Sequence, residues 1–345
     1  MKQQLSMFEE IAIPSPVRCL ERTQGGTALW IKDDSRIHAV YGGNKCRKLA
    51  HLLCDAERRD KSRITTFGTA GSHHVLATGL LGKSRGFAVR AFLIAQPWSA
   101  HAERVLCASV ASGIELIPMR SRWSAFAAVT QLCESKSAVI PPGGSNVCGS
   151  LGYFEAAIEL AQQVKNGDLP EPDYIVAALG TAGTVAGLLA GAEYTGLKSI
   201  VVGVSVLKAV GRSLYVRRLA NSILRAVGSG STVNSDKLII DSRWLGTGYG
   251  YATESGADAT SIAASLDLPL DPTYTAKAFA GALSLLKGRK IGQNTDVRAP
   301  NMAGSPMHVL YWHTLNASPS DIQEAARATI LPQKLRELLR PCPEC

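Results

Sequence analysis

The 345-residue sequence lacks the features of a membrane or secreted protein. No apolar run approaches the roughly 20 residues that a membrane-spanning helix needs. The first residues, Met1 to Glu10, do not show the charged-then-apolar order of a secretion signal. These absences predict a cytoplasmic protein that does not bind membranes.

Long runs of like charge are also missing. The formal net charge is +9 at pH 7, but the 37 lysines and arginines are scattered. They form no run longer than a pair, whereas a nucleic-acid-binding surface usually shows clustered basic residues. The charge therefore favours attraction of small anions such as phosphate and carboxylate, and predicts a small-molecule partner rather than nucleic acid.

The eight cysteines show neither a disulfide framework nor a zinc pattern. They are spread over a long chain without a secretion signal, so we expect reduced thiols. Cys342 and Cys345 are the only close pair, and no second pair or suitably spaced histidines accompany them. We predict no metal site and interpret the terminal pair as part of a frayed tail.

The sequence does contain alternating strand and helix patterns. The 46% hydrophobic residues, 19% charged residues and 32 glycines are typical of an α/β protein, and the length suits two domains. One series predicts strands at 63–67, 87–94, 114–117 and 137–140, with helices at 73–84, 100–112 and 122–134. A second series predicts strands at 27–32, 173–179, 200–204 and 307–312, with helices at 153–165, 185–193, 211–227 and 254–266. The turn-forming run 141–152 separates the two series. We predict two doubly wound open-sheet domains, residues 1–50 with 153–345 and residues 51–152.

Lys45 follows a glycine pair and stands at the start of a predicted helix. The pair lets the backbone approach a bound group closely and adopt unusual φ values. Partial desolvation and the neighbouring cations Arg47 and Lys48 favour the neutral amine, which is the form that attacks an aldehyde. The segment suits a lysine that forms a Schiff base, and a solvated surface lysine is the alternative.

Two loops of small residues each join a strand to a helix. Gly180-Thr-Ala-Gly-Thr184 leaves backbone N–H groups at a helix start, where an anion is stabilised. It matches neither the nucleoside-triphosphate loop nor the dinucleotide fingerprint, so a phosphate monoester is favoured, with tight packing as the alternative. The turn at 68–74 suits a substrate carboxylate, with Ser72 as a simple N-cap the alternative. His73 and His74 are adjacent and point to different sides of a helix, which makes a poor metal pair.

Tyr249 and Tyr274 complete the set of candidates. Tyr249 lies between glycines and Tyr274 lies at a helix start, positions that suit catalytic tyrosines, although buried core tyrosines look the same. A Schiff-base lysine, a phosphate cradle, a carboxylate turn and two tyrosines are the parts needed for pyridoxal 5′-phosphate chemistry on an amino acid.

The order of these motifs resembles the fold-type-II pyridoxal-phosphate enzymes (tryptophan synthase β-like), and specifically the D-cysteine desulfhydrase and 1-aminocyclopropane-1-carboxylate deaminase family. The resemblance extends from about Pro14 to Thr314. Its most specific marks are Gly42-Gly-Asn-Lys-Cys-Arg-Lys-Leu49, Gly143-Gly-Ser-Asn-Val-Cys-Gly-Ser-Leu-Gly-Tyr153, Gly180-Thr-Ala-Gly-Thr184, Asp271-Pro-Thr-Tyr-Thr-Ala-Lys277 and His313-Thr314.

The resemblance implies a role for each candidate residue. Lys45 would carry the cofactor covalently and move the Cα proton. The phosphate would meet Lys48, the backbone at Gly180, Thr181, Ala182, Gly183 and Thr184, and the hydroxyls of Thr181 and Thr184. Ser72 would hold the substrate carboxylate, and Tyr249 and Tyr274 would face the substrate as acid, base or nucleophile. His73 would contact the cofactor, and Thr314 would meet its pyridine nitrogen. Because a hydroxyl does not hold a full positive charge on that nitrogen, elimination competes well with transamination.

Four departures from the family pattern bear on the substrate. His73 replaces the usual asparagine, so imidazole would remake that cofactor contact. Gly71 replaces a glutamine, which predicts extra space near the substrate. Thr275 stands where the deaminases have glutamate, as in the desulfhydrases. Leu315-Asn316 replaces a glycine pair.

The sequence therefore predicts a pyridoxal-phosphate-dependent lyase or deaminase that acts on a small amino acid by α,β-elimination, releasing ammonia and a 2-oxo acid. It would resemble D-cysteine desulfhydrase, although the substrate need not be D-cysteine. A homodimer is expected by analogy with the family. The alternatives are a pyridoxal-phosphate-dependent β-replacement synthase and a catalytically degenerate cofactor-binding protein.

Overall fold

A computed structural model describes residues 11–121, 136–208, 210–287, 306–317 and 321–339. The helix predicted at 122–134 and the pair Cys342 and Cys345 lie outside the described residues. The described strands form two separate sheets, one of six strands and one of four.

The larger sheet contains strands from both ends of the chain. Its order is β1-β2-β10-β7-β8-β9, where β1 pairs antiparallel with β2 and all other pairs are parallel. The strands are β1 (Val17–Arg22), β2 (Ala28–Asp33), β7 (Tyr174–Leu179), β8 (Ile200–Ser205), β9 (Leu238–Asp241) and β10 (His308–His313). Strand β10 lies between β2 and β7, so residues far apart in sequence are adjacent at the centre of the sheet.

The smaller sheet is entirely parallel, with the order β5-β4-β3-β6. Its strands are β3 (Arg63–Thr69), β4 (Ala88–Ile94), β5 (Glu115–Pro118) and β6 (Ser137–Ile140). Because parallel neighbours require crossover connections, helices alternate with these strands along the chain. The four strands predicted between residues 63 and 140 are confirmed.

Ten α-helices are described: α1 (Asn44–Arg58), α2 (His73–Ser84), α3 (Ala100–Ala111), α4 (Val147–Asn166), α5 (Gly183–Thr195), α6 (Arg212–Ala226), α7 (Glu254–Ala264), α8 (Thr275–Leu286), α9 (Asp321–Ala328) and α10 (Gln333–Arg336). Short 3-10 turns lie at Pro142–Gly144 and Ser235–Lys237. None of the described helices is long and apolar enough to cross a membrane.

Both faces of the larger sheet are covered, as is usual for parallel sheets. In β7 the side chains of Ile175, Ala177 and Leu179 pack with α4, α5 and α6, whereas Tyr174 and Val176 pack with α7 and α8. The smaller sheet packs in a cluster with α1, α2 and α3, and Leu331, Leu335, Leu338 and Leu339 of the C-terminal segment belong to the same cluster. The predicted α/β class with two open sheets is confirmed, and the predicted domain boundaries remain a prediction.

One predicted helix start was wrong, and four elements were not predicted. Helix α4 begins at Val147, six residues before the predicted start, because Asn146 caps it by accepting a hydrogen bond from the Gly149 amide. The turn formers of the run 141–152 concealed this start. Strands β1 and β9 were not predicted, and neither was the pair of helices α9 and α10.

Strands of both sheets end at one cavity. The Lys45 segment follows β2, the Ser72 turn follows β3, the 180–184 loop follows β7 and Thr314 follows β10. In open α/β sheets ligands bind at these ends. The fold thus brings the loops singled out in the sequence to one place.

Candidate active site

A cavity of about 610 Å³ opens at these strand ends. This volume is within the range of small-molecule and cofactor sites. The cavity is lined by all but one of the predicted site residues: Lys45, Lys48, Ser72, His73, Gly180, Thr181, Ala182, Thr184, Tyr249, Tyr274 and Thr314. The remaining one, Gly183, lies behind this lining at the start of α5. The structure therefore gathers residues that are up to 269 positions apart (Lys45 to Thr314) around one space.

The glycine pair sets the entry to helix α1. Gly43 has φ 74°, and a Cβ there would lie 2.5 Å from the Thr314 carbonyl oxygen. The Asn44 amide donates to this same carbonyl at 3.2 Å. A side chain at position 43 would therefore push the Lys45 segment away from the end of β10, which explains the need for glycine.

Lys45 projects into the cavity beside Asn44. Its Nζ donates to Asn44 Oδ1 at 2.9 Å, and Asn44 Nδ2 donates to Thr184 Oγ1 at 3.1 Å. Burial of the amine lowers the pKa of Lys45 to about 8, and only the more distant Asp271 carboxylate opposes this. A substantial fraction of the amine is neutral at physiological pH and can act as a nucleophile.

The cause of this shift differs in part from the sequence prediction. Arg47 turns away from the cavity and pairs with Asp34 at 2.8 Å and Glu159 at 3.0 Å. Burial, and not the charge of Arg47, keeps the Lys45 amine reactive. Sequence adjacency alone could not show on which side of the helix the guanidinium lies.

The 180–184 loop and helix α5 form a cradle of donors. Lys48 Nζ donates to the Gly143 carbonyl at 2.9 Å and to Ser145 Oγ at 3.1 Å. Ser145 Oγ also accepts from the Gly183 amide at 3.1 Å and lies 2.7 Å from Thr181 Oγ1. The Lys48 amine, a backbone N–H and two hydroxyls thus converge, as an anion site requires.

Gly183 is required at the back of this cradle. A Cβ there would lie 2.7 Å from both Lys48 Nζ and Ser145 Oγ, and 2.9 Å from Ser150 Oγ. Ser150 Oγ is buried and has no hydrogen-bond partner among the described residues. Any side chain at position 183 would displace these polar groups.

The Ser72 turn combines a cap with a cavity wall. Ser72 Oγ accepts from the Val75 amide at 3.3 Å, so the N-cap interpretation is correct, and the residue also lines the cavity. The predicted extra space at Gly71 is absent. A Cβ on Gly71 would lie 2.6 Å from Ala102 Cβ and 2.8 Å from Gln96 Nε2, and Gln96 Oε1 accepts from the Gly71 amide at 3.0 Å. Another glutamine therefore fills the space left by the glycine.

The two neighbouring histidines face different surroundings, as predicted. His73 Nδ1 lies 2.7 Å from Tyr41 Oη, and His73 Nε2 lies 2.8 Å from His101 Nε2. His74 Nε2 instead lies 3.0 Å from Thr66 Oγ1. Burial, together with the adjacent His101 ring, lowers the pKa of His73 to about 3, so it is neutral at physiological pH. The described residues contain no cluster of three or more ligands suited to a metal ion.

Tyr249 and Tyr274 form a hydroxyl pair in the same cavity. Tyr274 Oη donates to Tyr249 Oη at 2.8 Å, and Tyr249 Oη lies 3.4 Å from Thr69 Oγ1. Lys45 Nζ lies 5.9 Å from the centroid of the Tyr274 ring. Burial raises the pKa of both phenols, so both remain protonated.

Asp271 fixes the start of helix α8 and therefore the position of Tyr274. Its Oδ1 accepts from the amides of Thr273 and Tyr274, at 2.9 and 2.7 Å, and its Oδ2 accepts from Thr275 Oγ1 at 2.6 Å. Burial raises the pKa of this carboxyl, but the hydrogen bonds from the Thr275 hydroxyl and the Tyr274 amide help to hold it below its usual range. Asp271 is the fixed negative charge of the cavity wall.

Lys277 holds the loop that carries Tyr249. This fully buried residue lies one turn after Tyr274, and its Nζ donates to the carbonyls of Leu245 at 2.9 Å and Gly248 at 3.2 Å. The start of helix α8 therefore holds the Tyr249 loop in two ways. Lys277 bonds to the backbone carbonyls of the loop, and Tyr274 bonds to the Tyr249 hydroxyl.

Comparison with known proteins identifies the class of this site. The family model of the pyridoxal-phosphate dependent enzymes matches residues 10–299. The chain belongs to this family, and it is an enzyme that uses pyridoxal phosphate. The cofactor predicted from the sequence is thereby confirmed, as is the fold-type-II architecture.

Solved structures agree with this assignment. An ACC deaminase homologue is 26% identical, with a TM-score of 0.73 and 98% of each chain covered. Threonine deaminase isoform 2 from Solanum lycopersicum is 14% identical, with a TM-score of 0.59 and 95% of this chain and 92% of that chain covered. An L-serine ammonia-lyase from Rhizomucor miehei is 16% identical, with a TM-score of 0.61 and 93% and 100% covered. The last two show the fold alone.

The residues of the cavity fit the cofactor. The aldehyde needs an amine that is partly neutral, and Lys45 provides it. The phosphate needs convergent donors without a Cβ in the way, and the cradle around Gly183 provides them. The cavity that Lys45 and the cradle line has a volume that accommodates a pyridine ring together with a small substrate.

Sequence reasoning missed five residues that line or support the site. The sequence presents Asn44 only as a neighbour of Lys45, and it presents Ser145 within a family motif without an assigned role. Asp271 carried a usable signal, since an aspartate three residues before Tyr274 at a helix start is typical of a cap. Tyr41 and His101 carried no sequence signal, because only the packing of α2 against α3 brings His101 to His73.

Proposed function

We propose that this enzyme is a lyase that removes a leaving group from Cβ of a small amino acid by α,β-elimination, releasing ammonia and a 2-oxo acid in the manner of D-cysteine desulfhydrase. The observation that carries the proposal is the Tyr249–Tyr274 hydroxyl pair in the same cavity as the partly neutral Lys45 amine. The similarity to an ACC deaminase homologue supports the release of ammonia from an amino acid.

Lys45, Lys48 and the 180–184 loop would hold the cofactor. When bound, pyridoxal phosphate withdraws electrons from the substrate Cα and so acidifies its proton. We assign the phosphate to Lys48, Ser145, Thr181 and the Gly183 amide, where the donors converge. Thr184 and Asn44 would orient the cofactor ring next to Lys45, and Thr314 would contribute a neutral hydroxyl at the ring nitrogen.

Lys45 Nζ would also take the Cα proton. Its lowered pKa keeps part of the amine unprotonated near neutral pH, which is the condition for a general base. The hydrogen bond to Asn44 Oδ1 fixes the direction of the amine. The Ser72 turn would bind the substrate carboxylate through the N–H groups at the start of α2.

The Tyr249–Tyr274 pair would orient the substrate. Because Tyr274 donates its proton to Tyr249, the Tyr249 hydroxyl proton is left for Thr69 or for a substrate atom. The Thr275 hydroxyl donates its hydrogen bond to Asp271. Unlike a glutamate at this position, Thr275 adds no acidic group to the cavity. The absence of a second carboxylate beside Asp271, among the described residues that line the cavity, favours elimination from cysteine- or serine-like substrates. We further propose that the protein is a homodimer in the cytoplasm.

The proposal is tested with single amino acids. Each D- and L-amino acid is added to purified protein loaded with pyridoxal phosphate, while the visible absorbance, ammonia and 2-oxo acid are recorded. We expect ammonia and 2-oxo acid in equal amounts from at least one small β-substituted amino acid. A product that instead incorporates an added thiol or amine, without 2-oxo acid, would indicate a β-replacement synthase.

Tyr274→Phe is the matched variant. It keeps the ring and its packing but removes the hydroxyl that donates to Tyr249. We expect unchanged colour and reduced turnover. Turnover equal to that of the unmodified enzyme would remove the hydroxyl pair from the mechanism.

A further inference from the structure

A chain of three side chains leads from the cavity toward solvent. Tyr41, which is 2% exposed, lines the cavity. Tyr41 Oη lies 2.7 Å from His73 Nδ1, and His73 Nε2 lies 2.8 Å from His101 Nε2. His101 is the second residue of α3 and is partly exposed. Both distances are those of hydrogen bonds.

The contact between the two Nε2 atoms restricts where the protons lie. One of the two nitrogens must carry a proton and the other must accept it, because two bare nitrogens or two N–H groups would repel. Burial lowers the pKa of both histidines, so neither ring is positively charged at physiological pH. Each neutral ring then has one N–H and one acceptor nitrogen.

Two arrangements of the protons satisfy these contacts. In the first, Tyr41 donates to His73 Nδ1, His73 Nε2–H donates to His101, and His101 carries its proton on Nδ1. In the second, His101 Nε2–H donates to His73 Nε2, and His73 Nδ1–H donates to Tyr41. The Tyr41 hydroxyl proton is then free to point at a bound group or at the His73 carbonyl, 3.4 Å away. Passing from the second arrangement to the first moves one proton into the cavity.

We propose that Tyr41, His73 and His101 form a proton relay that delivers a solvent proton to the departing group of the substrate. The relay rests on the proposed elimination. As the bond from Cβ to the leaving group breaks, the electron pair stays on the leaving atom, which takes the proton of Tyr41 Oη. Tyr41 regains a proton from His73 Nδ1, His73 Nε2 takes one from His101 Nε2, and His101 Nδ1 takes one from water, which is left as hydroxide in the solvent. Charge and protons balance, and no ring becomes charged at the end of the step.

The surrounding charges suit a neutral relay. Asp271 and Lys45 act on the His73 ring with opposite signs, and Arg104, one turn along α3, acts on His101 together with Asp271. These opposing charges leave neither ring strongly attracted to an extra proton, so the proton does not become trapped on the way.

The decisive test varies how much the leaving group needs a proton. Serine or cysteine must be protonated at the departing atom, whereas the chloride of β-chloroalanine leaves without a proton. We expect Tyr41→Phe and His101→Ala to lower kcat with the serine or cysteine enantiomer that the enzyme accepts by about tenfold or more. The same variants should stay within about twofold with β-chloroalanine, since no proton transfer is lost. Equal losses with both leaving groups, or no loss with either, would overturn the relay.

Chemical rescue gives a second readout. Added imidazole should restore the serine or cysteine activity of His101→Ala, because it can occupy the vacated volume and pass the proton. The matched control is His51→Ala, whose ring pairs with Glu155 at 2.9 Å outside the cavity. Imidazole should leave this control unchanged, and an equal response of both variants would overturn the relay.

A spectroscopic measurement needs no turnover and separates this inference from the proposed function. Two-bond ¹⁵N–¹H spectra of the cofactor-free protein should show neutral rings for His73 and His101, each with one protonated nitrogen. A positively charged ring, or two rings each protonated on Nε2, would overturn the relay. If unmodified enzyme processes none of the amino acids, the proposed elimination fails and the spectra alone decide the relay. If His101→Ala does not fold, His101→Gln, which bonds to His73 but passes no proton, takes its place.

Discussion

Two lysines near the start of the chain, the fully buried Lys32 and the partly buried Lys45, differ in how their amines are used. Lys32 Nζ donates to Glu159 at 2.6 Å, to Gln163 at 2.5 Å and to the Ser15 carbonyl at 3.1 Å. Within the described part of the chain, Lys45 Nζ donates one hydrogen bond, to Asn44. Burial lowers the pKa of both amines, but Glu159 and Asp34 counteract this at Lys32, whereas only Asp271 does so at Lys45.

The comparison shows that burial alone does not make an amine reactive. An ammonium group has three donors, and when all three are used the charged form is held and the residue is structural. When two of the three are left toward a cavity, burial favours the neutral form and the amine is available for chemistry. Breaking or strengthening this contrast gives four predictions.

The largest effect is expected for Lys45→Ala. Removing the amine removes both the covalent attachment and the base, so elimination should fall at least about a thousandfold. The yellow colour should disappear on dialysis against cofactor-free buffer. A Lys45→Ala protein that still forms a covalent adduct with the cofactor on borohydride reduction would place the attachment at another lysine.

Lys32→Met should mainly affect stability. The change keeps the length of the side chain but leaves Glu159, Gln163 and the Ser15 carbonyl without their donor. Loss of one partner of a buried ion pair costs about 3 kcal/mol. The free energy of unfolding, measured by urea denaturation of cofactor-free protein, should fall by that amount. Unchanged stability would mean that Arg47 alone satisfies Glu159.

Lys45→Met should instead raise the free energy of unfolding. The pKa of Lys45 is about 8 in the folded protein, against an ordinary value of 10.5, so burying the protonated amine costs free energy. Below pH 8 the variant should be more stable than the unmodified cofactor-free protein, by about 1–3 kcal/mol. Between pH 8 and 10.5 the unfolded lysine binds more protons than the folded one, so the stability of the unmodified protein rises and the difference shrinks. A difference that is independent of pH would contradict this account.

The smallest effect is expected for Lys277→Met. This lysine uses its amine on the Leu245 and Gly248 carbonyls, so the substitution should loosen the loop that carries Tyr249. We expect kcat to fall about tenfold, because small displacements of an orienting group are costly, while cofactor colour is retained. Tyr249→Phe is the comparison. If Lys277 acts only through Tyr249, the double variant should lose no more than Tyr249→Phe alone.

The sequence revealed most of the parts of this site and few of the connections between them. Glycine-rich loops after strands have a local cause, since close approach and helix starts depend on neighbouring residues, and so Lys45 and Gly183 were found. Thr314 was predicted only through the family resemblance. The contact of Thr184 with Asn44 spans 140 residues and depends on the pairing of β10 with both β2 and β7. No local pattern predicts such pairing.

Errors in the predicted fold had similar causes. Strand β9 was missed because its four residues follow a polar loop, and β1 was missed beside a proline-rich entry, where short edge strands give weak patterns. The expected space at Gly71 was wrong because Gln96 comes from a different strand end. Substitutions that compensate across elements are visible only when the elements are placed together.

The insertion of β10 between β2 and β7 has a consequence for how the protein matures on the ribosome. Until residues 308–313 have been synthesised, the larger sheet has a gap at its centre, and the Asn44 amide lacks its acceptor on Thr314. The amine at position 45 therefore acquires its final setting only when nearly the whole chain has emerged. Covalent binding of pyridoxal phosphate is therefore delayed until the larger sheet is complete.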